Sequence, residues 1–100
     1  MAEYRTLLEF SRPEFVKDLS VSRVQEQGLL KVWILVSKGD LEETIELTGF
    51  EDLAESVSNF IEAERAVISK EIDSGKDFGT IRIECWVDES YSEFFCDSAQ

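Results

Sequence analysis

Histidine is absent from this chain. That removes the commonest general base, the Ser–His and Cys–His nucleophile pairs and most transition-metal chemistry. Cysteine occurs twice, at Cys85 and Cys96, too far apart for a Cys-x-x-Cys pair and with no histidine to complete a zinc site. Reduced thiols are expected, Cys85 facing the core and inert, Cys96 without an obvious activating base. The single proline and five scattered glycines form no phosphate loop, and no EF-hand or Asp-x-Asp spacing offers a calcium site. Neither a catalytic residue, a metal nor a cofactor is expected. Long apolar runs are also missing. The longest, Val32 to Val36, falls far short of a membrane span. The leading Met-Ala-Glu-Tyr-Arg lacks the apolar core of a signal peptide, so the expectation is a soluble cytoplasmic protein.

Positive charge is scarce: ten Lys and Arg stand against 22 Asp and Glu, for a net charge of −12. Nucleic-acid binding is thereby disfavoured. With 43% hydrophobic residues and eleven aromatics the chain is nevertheless a folding sequence, and its 100 residues are read as one acidic domain over 1–100. The charge comes in blocks, +1 over residues 1–38, −9 over 39–64, +1 over 65–82 and −5 over 83–100. The second block holds Asp40, Glu42, Glu43, Glu46, Glu51, Asp52, Glu55, Glu62 and Glu64 without one Lys or Arg.

Hydrophobic periodicity gives the expected elements. Tyr4, Thr6, Leu8 and Phe10 alternate as a strand. Ser11-Arg12-Pro13-Glu14 resembles a capping box, and with Phe15, Val16 and Leu19 on one edge it predicts a short helix ending near Leu19 or Ser20. Val21 to Gln27 either extends the next strand or loops to Gly28. Leu29 to Ser37 is apolar on both faces, as in a covered or central strand, with Lys31 and Lys38 as gatekeepers against aggregation. A turn at Gly39 leads to Leu41 to Thr48, which alternates and presents Glu42 and Glu46 to solvent. Thr48-Gly49-Phe50-Glu51 reads as a second capping box. Behind it Leu53, Val57, Phe60, Ile61, Ile68 and Ile72 follow helical spacing, predicting a helix from Gly49 to Asp73, roughly 36 Å at ~1.5 Å per residue, stopped at Gly75. Thr80 to Asp88 returns to strand, with Trp86 outward, and Ser90 to Cys96 is a last strand or a short helix. The expected fold is α+β: a mainly antiparallel sheet of about four strands, one long helix packed on one face, and a short N-terminal helix.

Glu64 falls inside the apolar stripe of that long helix. It needs a partner such as Arg82 or Arg65, unless the helix stops near Ala63 and leaves it exposed. The acidic block is the leading functional feature, because clustered like charge steers association with an oppositely charged partner and sets its register. Glu42, Glu46, Glu51, Asp52, Glu55 and Glu62 are the candidate contacts, with Trp86 as an anchor in an acidic rim. The expected function is binding of a basic protein, as an immunity-type inhibitor occluding the active-site groove of a toxin or nuclease. The alternative is an assembly subunit, a homo-oligomer formed through strand edges and Trp86, whose acidic face serves solubility.

Overall fold

The computed structural model describes residues 3–24, 29–72, 75 and 79–100. It is an α+β fold of two antiparallel four-stranded sheets and one helix. Sheet A contains β1 (Glu3–Ser11), β5 (Arg65–Ile72), β6 (Ile81–Val87) and β7 (Ser90–Cys96), in the order β1-β5-β6-β7. Sheet B contains β2 (Phe15–Val24), β3 (Leu29–Lys38), β4 (Leu41–Thr48) and the two-residue β8 (Ser98–Ala99), in the order β2-β3-β4-β8. The helix α1 (Leu53–Glu62) carries the chain from sheet B to sheet A.

The sheets bury their inner faces against each other. Val32, Ile34, Val36, Ile45 and Leu47 of sheet B and Leu8, Phe10, Ala66, Ile68, Ile81, Ile83, Cys85 and Cys96 of sheet A form one core with Phe60 of α1. Period-two alternation makes this possible, since each strand sends every second residue inward. Leu53, Ser56, Val57 and Phe60 recur at helical spacing on the covered face of α1. Phe60 meets Phe10 edge-on at 5.6 Å between ring centroids. The buried Ser56 hydroxyl donates to the Asp52 carbonyl at 2.6 Å, so its burial leaves no orphan.

Three expectations are corrected. The sheet is not one of about four strands but two of four. No short N-terminal helix follows Pro13: residues 15–24 are β2. The Ser11–Glu14 contacts do form, Ser11 N–H donating to Glu14 Oε1 at 3.1 Å and Glu14 N–H to the Ser11 carbonyl at 2.9 Å. They close a tight turn between strands, around a cis Arg12–Pro13 peptide, instead of starting a helix. Local side-chain-to-backbone bonds serve either structure, and Val16 and Val21 tip the balance toward strand. The helix is present but spans ten residues only, and residues 65–72 are β5. Its cap is Asp52, whose side chain accepts from Glu55 N–H at 3.1 Å, not Thr48. Ile68 and Ile72 fit the helical stripe, but Ala66 and Ile68 alternate as an inward strand face, and a place between β1 and β6 decides for strand.

Other elements agree with the pattern: β3, β4 and β6 lie within a residue or two of their expected bounds, and residues 90–96 are a strand. Val21 to Val24 are a further correction, since they neither extend the next strand nor loop but continue β2, in register with Leu29 to Val32 of β3, while residues 25–28 lie outside the described set. Gly75, the expected helix stop, takes φ +69° but follows a strand, since α1 ends at Glu62.

The chain's end joins the two sheets. After β7, Asp97 N–H donates to the Thr48 carbonyl at 2.9 Å, and Asp97 Oδ1 accepts from Gly79 N–H at 2.8 Å. Gly49 stands against Asp97 at φ +83°, where an added Cβ would overlap the Asp97 carboxylate. Gln100 and Glu46 then exchange backbone bonds at 2.9 and 3.0 Å.

Candidate functional site

The expected contact residues divide among three surfaces. Glu42 and Glu46 point outward from β4 on sheet B, opposite Ser37 and Trp33 of β3. Glu51, Asp52 and Glu55 surround the start of α1, and Glu62 occupies its last turn. Trp86 lies on the outer face of sheet A, so the sandwich core separates it from Glu42 and Glu46.

The lysines missing from the acidic block arrive from other strands of sheet B. Lys17 Nζ lies 2.9 Å from Glu42 Oε2, Lys31 Nζ 3.9 Å from Glu46 Oε1 and Lys38 Nζ 3.4 Å from Glu43 Oε1. The hydrogen bond to Glu42, and then its charge, raises the pKa of Lys17. Glu64 follows the second of its two expectations: α1 stops at Ala63, and the half-exposed carboxylate pairs with Arg12 at 3.2 Å. Among the described residues, no ion pair joins Glu51, Asp52, Glu55 or Glu62 to a cation. A carboxylate at Glu62 also opposes the helix dipole, and no base shares the last turn.

The outer face of sheet A assembles residues that lie far apart in sequence. Strand register sets three rows: Ser11–Arg65–Trp86–Tyr91, Glu9–Val67–Glu84–Glu93 and Thr6–Ser69–Arg82–Phe95. In the first row the Arg65 guanidinium sits 4.6 Å from the Trp86 ring centroid, and Trp86 packs on Tyr91 at 5.1 Å. In the second, Glu84 and Glu93 are direct cross-strand partners, an arrangement of like charges that costs stability. The Tyr91 hydroxyl reaches both, 2.8 Å from Glu84 Oε2 and 3.2 Å from Glu93 Oε2, so one proton serves two carboxylates. Desolvation, and then the two acids, push the Tyr91 phenol up from its ordinary value. Arg82 lies 3.3 Å from Glu84 Oε1 and stacks over Tyr4 at 3.8 Å. Tyr91 and Phe95 stay 49% and 37% exposed. Trp, Tyr and Arg with exposed aromatic edges are the composition of interface hot spots.

The turn leading into this face is itself unusual. Asp88 and Glu89 both take positive φ, 47° and 70°, in a two-residue loop where Asn-Gly costs least. Two carboxylates therefore stand at the end of β7 at the expense of turn stability.

Sequence reasoning missed this surface, apart from Trp86. The available signal was the outward parity of Arg82, Glu84 and Trp86 on β6; what was missing was the pairing of β6 with β5 and β7. The two thiols lie on the opposite, inner face of sheet A, and burial pushes each up to about 12. Both are protonated and unreactive at neutral pH. Among the described residues no group of His, Cys, Asp or Glu is placed to hold a metal, and no helix is long and apolar enough to cross a membrane. Comparison with protein-family models, curated proteins and solved structures returned no match to this chain.

Proposed function

We propose that this protein works by binding, as an acidic module that neutralises a basic partner, and that its biological form is an immunity-type inhibitor covering the basic groove of a toxin or nuclease. The observation that supports this most is the charge left after internal pairing. Glu42, Glu43, Glu46 and Glu64 hold cations of their own chain, whereas the four carboxylates on and around α1 hold none among the described residues. Such a surface repels itself in the free protein and is relieved by a partner that brings positive charge. Grooves built for a phosphate backbone carry that charge. The inhibitor acts by steric occlusion and electrostatic steering, with no reaction step and no cofactor.

The test begins with affinity capture from the source cell's lysate at low and high salt, followed by association kinetics with the recovered protein. A stoichiometric basic partner, released as salt rises, is expected. The charge reversal Glu51→Lys/Glu55→Lys then slows association by about tenfold or more at low salt and less at high salt. An unchanged association rate defeats this reading.

The second reading, a homo-oligomeric assembly subunit, draws on the exposed Tyr91 and Phe95 beside a strand edge that is unpaired among the described residues. Sedimentation equilibrium separates the two, since assembly predicts a concentration-dependent oligomer that Trp86→Ala disrupts.

A further inference from the structure

We propose that the free edge of β7 accepts an extended basic segment of the partner as an additional strand of sheet A, with the row of Tyr91, Glu93 and Phe95 selecting positively charged side chains at alternate positions. This rests on the proposed binding of a basic partner and gives that partner a place and a conformation.

A sheet edge is open to strand addition unless something blunts it, and three of the four edges here are blunted. The outer strand β1 carries a register shift between Thr6 and Leu8, and β2 one between Val16 and Asp18, with Lys17 in the bulge. The edge of β4 is partly occupied by β8 and by Gln100. Its remaining stretch carries Glu42 and Glu43, both already paired with lysine. By contrast, β7 runs seven residues in unbroken register with β6 and contains no proline, lysine or bulge. Among the described residues nothing pairs with its other side.

The side chains along this edge specify the occupant's charge. Residues 83–100 hold five acids and no base. Glu93 faces Glu84 directly, and among the described residues the only hydrogen-bond donor these carboxylates share is the Tyr91 hydroxyl. An incoming lysine or arginine opposite Glu93 supplies the missing charge, and its stem packs on Tyr91 or Phe95. Alternate residues of the added strand fall on one face, about 7 Å apart, matching the spacing of Tyr91, Glu93 and Phe95. A second copy of this chain suits the edge poorly, because it brings its own acidic edge and a further net charge of −12. Main-chain bonds would supply affinity and the alternating row would supply selection, as in other strand-addition complexes.

The experiment uses the full chain, isotope-labelled for amide spectra at low ionic strength. The probe is a synthetic seven-residue peptide alternating lysine with threonine. Two control peptides replace lysine by glutamate or carry N-methyl groups at alternate amides. The lysine peptide is expected to shift and protect alternate β7 amides, and both controls to fail. Glu93→Lys is expected to weaken binding by about tenfold or more, while the charge-matched Asp40→Lys stays within about twofold. Amide spectra of both variants confirm that they are folded. Shifts confined to α1, or binding indifferent to N-methylation, overturn the strand-addition inference and leave the basic-partner reading standing. Protection of β7 that grows with protein concentration in the absence of peptide overturns it in favour of self-assembly. No shift at any amide with millimolar lysine peptide overturns both.

Discussion

On the outer face of sheet B, the two outward acids of β4 each meet a lysine from another strand, Glu42 from β2 and Glu46 from β3. On the outer face of sheet A, Glu84 and Glu93 instead face each other and share Tyr91, with Arg82 reaching only Glu84. The hairpins beneath these faces differ in the same way. The β3–β4 loop places Gly39 at the position of positive φ, whereas the β6–β7 loop places Asp88 and Glu89 there. Sheet B is thus settled locally, its charges matched and its turn relaxed. Sheet A keeps a like-charge pair, a costly turn and exposed aromatic rings within one hairpin. Features that burden the free protein and gather on one surface are those a partner can relieve.

The largest expected effect concerns the joint that holds the two faces in fixed relation. At Gly49 an alanine must adopt φ +83° and place its Cβ against the Asp97 side chain, including the Asp97 Cβ at 2.6 Å. Gly49→Ala should cost about 3 kcal/mol or more, combining backbone strain with displacement of the chain that links the sheets. Gly39→Ala is the control. Its φ is +70° but nothing lies within 4 Å of the added carbon, so the loss should stay near 1 kcal/mol. Urea denaturation of both variants measures the difference. Equal losses would mean that the Asp97 joint contributes nothing.

A smaller effect, of opposite sign, tests whether sheet A gives up stability for its charge. Asp88→Asn/Glu89→Gly puts the preferred residues into a loop whose two φ values are already positive. Stability should rise by about 1 kcal/mol, a few degrees in Tm for a chain of this size. Thermal unfolding reads this directly, and the same variant should bind the alternating lysine peptide less tightly. A variant no more stable than the parent would remove the turn from the contrast between the faces.

How much of this was legible in the sequence depended on how far apart the interacting residues lie. The β3–β4 hairpin was read with its turn and outward residues because alternation and Gly39 are local signals. The end of α1 was not: Phe60, Ile61, Ile68 and Ile72 fit a helical stripe, and only the vacancy between β1 and β6 makes residues 65–72 a strand. The same holds for Phe15, Val16 and Leu19, where a bulge at Lys17 interrupts the alternation that marks a strand. For the site, the block of nine acids was the louder signal, yet cross-strand lysines answer part of it. Trp86 was read as outward in an acidic rim; Arg65, which packs on it, comes from a strand whose pairing periodicity does not reveal.

The smallest effect asks whether the pairing on sheet B is as inconsequential for stability as its exposure suggests. Lys31 and Glu46 approach to 3.9 Å with more than a third of each side chain in water. In that setting Coulomb attraction is screened and ordering two long side chains offsets much of it. A double-mutant cycle with Lys31→Gln and Glu46→Gln should give a coupling of about 0.3 kcal/mol, shrinking further in salt. The single change Lys31→Gln has a second consequence. It frees Glu46 on a face where Lys17 still holds Glu42, so any gain in affinity for a basic peptide must come from one unmasked carboxylate. If binding belongs to β7, that gain stays within about twofold. A much larger gain would move the binding surface to sheet B, and with it the meaning of the contrast between the two faces.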